Sequence, residues 1–172
     1  MAPERKKSFP PVVDQNMRLL ILGSLPGEAS LAATQYYAHP RNAFWRLLET
    51  VLDTPLVELP YAERLTAVQR RGVGLWDVVA QAQRRGSLDA AILDPETNDL
   101  LALVQTLPAL RAVAFNGGMA ARLGVRLLAP VADRIETVTL PSSSPAHAAR
   151  SFAQKAKAWS ELKARVSLTR AG

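Results

Sequence analysis

Short, mainly apolar runs alternate along this chain with stretches in which apolar residues return every three or four positions. Met17-Arg18-Leu19-Leu20-Ile21-Leu22-Gly23, Arg111-Ala112-Val113-Ala114-Phe115 and Ile135–Leu140 are the clearest runs. Each has strand length, and the first two end in a glycine-bearing loop and the third at a proline. The first two lack polar alternation and predict buried strands, as in a parallel sheet, and the third predicts a further strand. Between them the period turns helical. Phe44, Trp45, Leu47, Leu48, Val51 and Leu52 predict a helix from Ala43, stopped by Asp53-Thr54-Pro55. Pro60–Arg71 predicts a second, with Leu65 and Val68 inward and Gly72 as its C-cap. Val73–Val79 reads as a short strand or a turn into a helix.

Further along, residues 83–96 are polar with Gly and Pro and predict a loop. Thr97 or Asn98 is the expected cap of a helix running to Leu107. After Asn116-Gly117-Gly118 a helix is expected to Leu123, stopped by Gly124. The last helix is expected from about Ala146 to Val166. Its stripe of Phe152, Ala156, Trp159, Leu162 and Val166 is spaced 4, 3, 3 and 4 apart, with Lys155, Lys157, Lys163 and Arg165 off it. Residues 28–41 have no regular period and predict a long loop or a broken helix. Strands alternating with helices predict a three-layer α/β/α domain with a short, mostly parallel central sheet. Residues 1–16 are polar, charged and Pro-rich and predict a flexible basic arm. The single domain is expected over 17–168.

Composition narrows the chemistry. The 172 residues include no cysteine and two histidines. That excludes disulfides, a Cys nucleophile, an iron–sulfur cluster and Cys- or His-rich metal centres, so no metal and no cofactor is expected. No apolar run reaches the length of a membrane span, and the start shows no secretory pattern, so no membrane partner is expected. The excess of 21 Lys+Arg over 15 Asp+Glu, a formal charge of +6, hints at an anionic partner.

In open α/β sheets ligands bind beyond the carboxyl ends of the strands. The three clearest strands end in Gly23-Ser24-Leu25-Pro26-Gly27, Asn116-Gly117-Gly118 and Pro141-Ser142-Ser143-Ser144-Pro145. A parallel sheet brings these loops to one edge. They offer hydroxyls, amides and backbone groups. They hold no carboxylate pair, no phosphate-binding glycine motif and no nucleophile elbow. Asp77 and Asp89 are the acidic residues nearest such loops, and the sequence assigns them no chemistry.

The same loops, with Tyr36-Tyr37-Ala38-His39-Pro40-Arg41-Asn42-Ala43-Phe44-Trp45 and Pro141-Ser142-Ser143-Ser144-Pro145-Ala146-His147, resemble the uracil-DNA glycosylase superfamily over roughly residues 18–165. The Tyr36–Trp45 string is the most specific part. It is most similar to the hypoxanthine (deoxyinosine) DNA glycosylases and more distantly to the mismatch-specific uracil/thymine enzymes. The latter carry a catalytic Asn in a Gly-Ile-Asn-Pro-Gly loop, where this chain has Leu25. The departure favours the hypoxanthine branch, in which the resemblance assigns the catalytic Asn to Asn42.

The resemblance implies hydrolysis of the N-glycosidic bond of a deaminated base flipped out of DNA, hypoxanthine first and uracil second. Asn42 would hold the attacking water. Ser24, Leu25, Asn116 and Ser142 would line the base pocket, with Tyr36 or Tyr37 stacking on the base. Arg41, Ser142, Ser143, Ser144, Pro145, His147 and Arg150 would meet DNA, and Lys155 is a further candidate. Plainer roles stand beside these: Asn42 as a helix cap, Asn116 as a turn residue, Phe44 and Trp45 as core, His39 and His147 as loop hydrogen-bonders. Two alternatives remain open, a mismatch-specific uracil/thymine glycosylase and a catalytically silent DNA-binding member of the fold. A serine hydrolase built on Ser142–Ser144 lacks an assignable acid. The expected setting is a monomer in the cytoplasm, associated with the nucleoid in a prokaryote.

Overall fold

The computed structural model describes residues 4–166. In chain order its strands and helices are β1 (Arg5–Lys7), β2 (Leu19–Gly23), α1 (Glu28–Ala33), α2 (Phe44–Leu52), α3 (Tyr61–Arg70), β3 (Val73–Asp77), β4 (Val79–Gln83), β5 (Leu93–Thr97), α4 (Leu100–Gln105), β6 (Ala112–Asn116), α5 (Gly118–Leu127), β7 (Glu136–Leu140) and α6 (Phe152–Trp159). A 3-10 turn, Ser160–Arg165, continues α6.

The three apolar runs form β2, β6 and β7. Together with β3 they make a parallel sheet in the order β3-β2-β6-β7. Every residue of β2 and of β6 is buried, which is why neither run shows polar alternation. Odd positions of β2 (Leu19, Ile21) pack with α2, α3 and the α6 region through Phe44, Leu48, Val68 and Trp159. Even positions (Leu20, Leu22) pack with α4 and α5 through Leu100, Val104 and Ala120. The result is the three-layer α/β/α arrangement.

Tertiary contacts redraw several boundaries. Asp99, rather than Thr97 or Asn98, caps α4 by accepting from the Ala102 N–H at 3.0 Å. Gly124 does not stop α5. It lies inside that helix because a Cβ there would run into the Phe115 ring. The last helix begins at Phe152, behind a capping box formed by Ser151 and Gln154, and residues 146–151 form turns instead. Lys155 is buried on this helix rather than lying on its wet face.

The polar stretch at 83–96 holds a strand that periodicity hid. Leu93–Thr97 is exposed along its length and contains Pro95, so it carries no apolar signal. It pairs with β4, and β4 pairs antiparallel with β1 through Arg5↔Gln83, Lys6↔Ala82 and Lys7↔Gln81. The arm expected to be flexible is therefore built into the fold from residue 4 onward; residues 1–3, like 167 and 168 of the expected domain, lie outside the described residues. Two of its charges are paired, Arg5 with Asp94 (3.2 Å) and Glu96 (3.1 Å), Lys6 with Glu28 (3.0 Å). Val12 bridges to Leu75, and the Trp76 indole donates to the Phe9 carbonyl at 2.9 Å. Among the described residues no helix is long and apolar enough to cross a membrane.

Candidate active site

The carboxyl ends of β2, β3, β6 and β7 open onto one cavity of about 440 Å³. Its lining includes Gly23–Gly27, Gly117–Met119 and Ser142–His147, together with Tyr37, His39, Asn42, Asp77, Asp89 and Asn116. The three loops singled out in the sequence thus meet, and the volume suits a small-molecule or single-base site.

The first loop is held from behind. Arg84 is buried, and its guanidinium donates to the carbonyls of Leu25 (3.3 Å), Pro26 and Gly86 (2.9 Å). Ser24 donates its hydroxyl to Asp89 at 2.5 Å. The Leu25 side chain packs with Val79, Ala82 and Ile92. What this loop turns toward the cavity is therefore mainly backbone.

Asn42 sits half-buried at the cavity wall, just before α2. Its Oδ1 accepts from the Phe44 N–H at 3.0 Å; the N-cap of α2 is Ala43, so Asn42 stands one residue outside the expected cap position and closes an Asx-type turn into the helix. The bond fixes the amide and leaves its NH2 group and the second lone pair of its oxygen free. The two tyrosines separate. Tyr36 is core: its hydroxyl donates to the Pro10 carbonyl at 3.0 Å and its ring meets Phe9 edge-on. Tyr36 nevertheless lines the cavity, as expected of a pocket residue, with its ring packed at 3% exposure. Tyr37 is held at φ +55°, a strained setting for an aromatic residue. One face of its ring stacks on Phe44, centroids 3.7 Å apart. Phe44 and Trp45 are core, as expected.

The amide of Asn116 is tied to the third loop. Its Nδ2 donates to Ser143 Oγ and its Oδ1 accepts from the Ser143 N–H, both at 2.9 Å. Ser143 is 1% exposed, and its carbonyl accepts from the Ala43 N–H at 3.0 Å. Ser142 Oγ accepts from the Ser144 N–H, and Ser144 Oγ from the Ala146 N–H. None of these hydroxyl contacts involves a histidine, which removes the geometric basis for a serine hydrolase. Lys155 donates its ammonium to the Ser144 carbonyl at 3.2 Å, and the Trp159 indole donates to the Pro141 carbonyl at 2.9 Å.

Asp77 is the residue that sequence reasoning passed over. It ends β3 beside Gly23 of β2 and is 3% exposed. Its Oδ2 has no hydrogen-bond partner among the described residues. Burial, helped by the negative charge of Asp89 and opposed by Arg84, pushes its carboxyl up to about 7. The neighbouring Tyr37 hydroxyl likewise has no partner of good hydrogen-bond geometry among the described residues, although the Asn116 amide lies close enough to act on it. Burial and Asp77 raise it far above the usual phenol range, with Asn116 working the other way. The available signal was positional: Val73–Val79 is one more apolar run, and Asp77 is its one ionisable residue at the strand end.

Residues 10–163 match the family model of the uracil DNA glycosylase superfamily. The chain belongs to that superfamily. It is 41% identical over 157 residues to a hypoxanthine DNA glycosylase of Methanosarcina barkeri, covering 91% of this chain and 97% of the relative. A hypoxanthine DNA glycosylase of Methanosarcina acetivorans is 40% identical over 142 residues, covering 83% and 88%. The solution NMR structure of a candidate uracil DNA glycosylase from M. acetivorans superposes with a TM-score of 0.83 at 37% identity, covering 94% of this chain and 98% of that one.

Within this superfamily fold, the residues expected at DNA sort by exposure. Arg41, Pro145, His147 and Arg150 are exposed, and Pro145 and His147 line the cavity mouth. Ser142 and Ser144 are half-buried beside them. Ser143 and Lys155 are buried and bonded within the protein, so neither is available to a phosphate. They act by holding the loop.

Proposed function

We propose that this protein is a monofunctional DNA glycosylase that removes a flipped deaminated base, hypoxanthine first and uracil second. One observation carries the reading. The strand-end loops converge on a cavity with Asn42 in its wall, in a chain 41% identical to a hypoxanthine DNA glycosylase. Hydrolysis needs a water held against C1′ and a stabilised leaving base. An amide fixed through the Phe44 N–H is preorganised to hold that water, its oxygen accepting and its NH2 orienting. As C1′–N9 breaks, the bonding pair leaves with the base, the held water's oxygen bonds to C1′, and the proton it releases ends on the departing base. The first turn of α5 lines the same cavity at Gly118 and Met119, and its free N–H groups and dipole favour the developing negative charge.

Arg41, Ser142, Ser144, Pro145, His147 and Arg150 form the proposed DNA edge. A duplex with one deoxyinosine is incubated with the protein and then treated with alkali, which cuts at a base-free site. Strand scission is expected with wild type. Asn42→Ala is expected to bind the duplex with unchanged affinity and cut at least ~100-fold more slowly. No scission of deoxyinosine, deoxyuridine or deoxyxanthosine duplexes at enzyme excess overturns the reading.

A further inference from the structure

Three buried side-chain polar atoms lack partners among the described residues: Arg5 Nε, Tyr37 OH and Asp77 Oδ2. The last two belong to residues lining the same cavity. A methyl group on Gly23 would stand 2.7 Å from Asp77 Oδ1 and 2.9 Å from the Tyr37 hydroxyl, so both groups converge on one bare Cα. Native proteins seldom leave such atoms unsatisfied without a ligand or water to meet them. The nearby Asn116 amide is held by Ser143 through one N–H and one lone pair, which fixes its orientation beside the pair.

Depth decides which part of a substrate meets this pair. Asp77 is 3% exposed and Asn116 7%, whereas Pro145 and His147 at the mouth are exposed. Sugar and phosphates stay outside with the strand. The base edge farthest from the glycosidic bond therefore reaches the floor. In hypoxanthine that edge is the lactam: an N1–H donor beside a C6=O acceptor.

We propose that Tyr37 and Asp77 read this lactam edge, the Tyr37 hydroxyl donating to O6 and an Asp77 carboxylate oxygen accepting from N1–H. The proposal rests on the glycosylase reading above and adds the residues that set its specificity. A tyrosine hydroxyl this deep stays protonated and remains a donor. An ionised carboxylate only accepts, and a donated N1–H restores the stabilisation that its burial removes.

Adenine presents the reverse pattern, a lone pair at N1 and an amino group at C6. Against adenine the carboxylate would face a lone pair and the hydroxyl would face N–H groups. The undamaged parent base is thereby rejected by repulsion as well as by lost bonds. Uracil offers the same N–H/C=O pair as hypoxanthine, which fits its place as second substrate. Guanine carries the pair too, with a 2-amino group that these two residues do not read.

The test is single-turnover excision from one duplex carrying deoxyinosine, N1-methyl-deoxyinosine or deoxynebularine, whose purine lacks both O6 and N1–H. Wild type is compared with Tyr37→Phe and Asp77→Asn. Expected are a ~10- to 100-fold loss on deoxyinosine in each variant and a change within about 3-fold on deoxynebularine, which also reports that the variants fold. Wild type should also lose activity on the N1-methyl substrate. Equal slowing of all substrates, or N1-methyl-deoxyinosine cut as fast as deoxyinosine, overturns the proposal. Calorimetric titration of the same proteins with free hypoxanthine and free purine separates this from the glycosylase reading. Preference for hypoxanthine that Tyr37→Phe abolishes supports edge reading even if wild type cuts nothing; equal binding of both bases overturns it.

Discussion

Asn116 and Ser143 grip each other twice, through Nδ2 to Oγ and through N–H to Oδ1, each at 2.9 Å. Ser143 in turn accepts from the Ala43 N–H at 3.0 Å. One amide therefore ties the end of β6 to the serine loop and, through it, to the start of α2 where Asn42 sits. Asn116→Ala leaves a buried hydroxyl and a buried N–H unpaired. A loss of about 2–4 kcal/mol in urea unfolding is expected, against about 1–2 kcal/mol for Ser143→Ala. If the two variants cost the same, the double bond is not the device that holds the loop.

Gly124 gives a prediction with competing signs. Alanine in a helix interior is favoured over glycine by about 1 kcal/mol. Here its Cβ would run into the Phe115 ring inside a fully buried strand. Gly124→Ala is expected to lower the melting temperature, the overpacking cost of about 1–3 kcal/mol outweighing propensity. Phe115→Leu in the same chain should recover part of the loss. A stabilised Gly124→Ala would return this glycine to the role of a helix stop.

Asp77 makes stability depend on pH. Its carboxyl titrates at about 7 when folded, against 3.8 as the ordinary value. Between those values the folded chain holds a proton that the unfolded chain has lost. Stability from this group is therefore full below about pH 4 and falls as pH rises to about 7, with a slope approaching 1.4 kcal/mol per pH unit. Asp77→Asn has no such term. Urea unfolding at pH 5 and pH 8 should show the variant gaining on wild type as pH rises. A constant difference between them would contradict the buried, unpartnered carboxyl.

Arg84 positions the first loop without facing the base. Arg84→Met keeps apolar bulk but strips hydrogen bonds from the Leu25, Pro26 and Gly86 carbonyls. Faster hydrogen exchange at Leu25 and Gly27 is expected, with excision slowed ~10- to 100-fold. Arg84→Lys, which cannot span three carbonyls, should lie between. Unchanged exchange in Arg84→Met would show that the loop holds its shape alone.

What the sequence determined by itself was local and periodic. The unbroken apolar runs of β2 and β6 declared strands covered on both faces, and the ends of β2, β6 and β7 named the three loops of the cavity. The Tyr36–Trp45 string and Leu25 pointed to a branch of the superfamily and to Asn42. These features are legible because burial of a whole segment leaves its mark residue by residue along that segment. Long-range pairing leaves no such mark. Leu93–Thr97 is a strand only because β4 satisfies its backbone, and the basic start of the chain is built in because β4 pairs with it and Asp94, Glu96 and Glu28 meet its charges. Gly124 reads as a helix stop until the Phe115 ring is seen to need its space. The same holds for the site. Ser143 and Asn116 look like free polar groups in a loop, and the tertiary structure ties them to each other. Asp77 looks like one acid among fifteen, and only the close approach of β3, Gly23 and Tyr37 strips it of water and partners. A polar side chain's chemistry depends on what surrounds it in space, and Asp77 is surrounded by Gly23 and Tyr37 from distant segments as well as by Arg84 and Asp89 nearer in the chain.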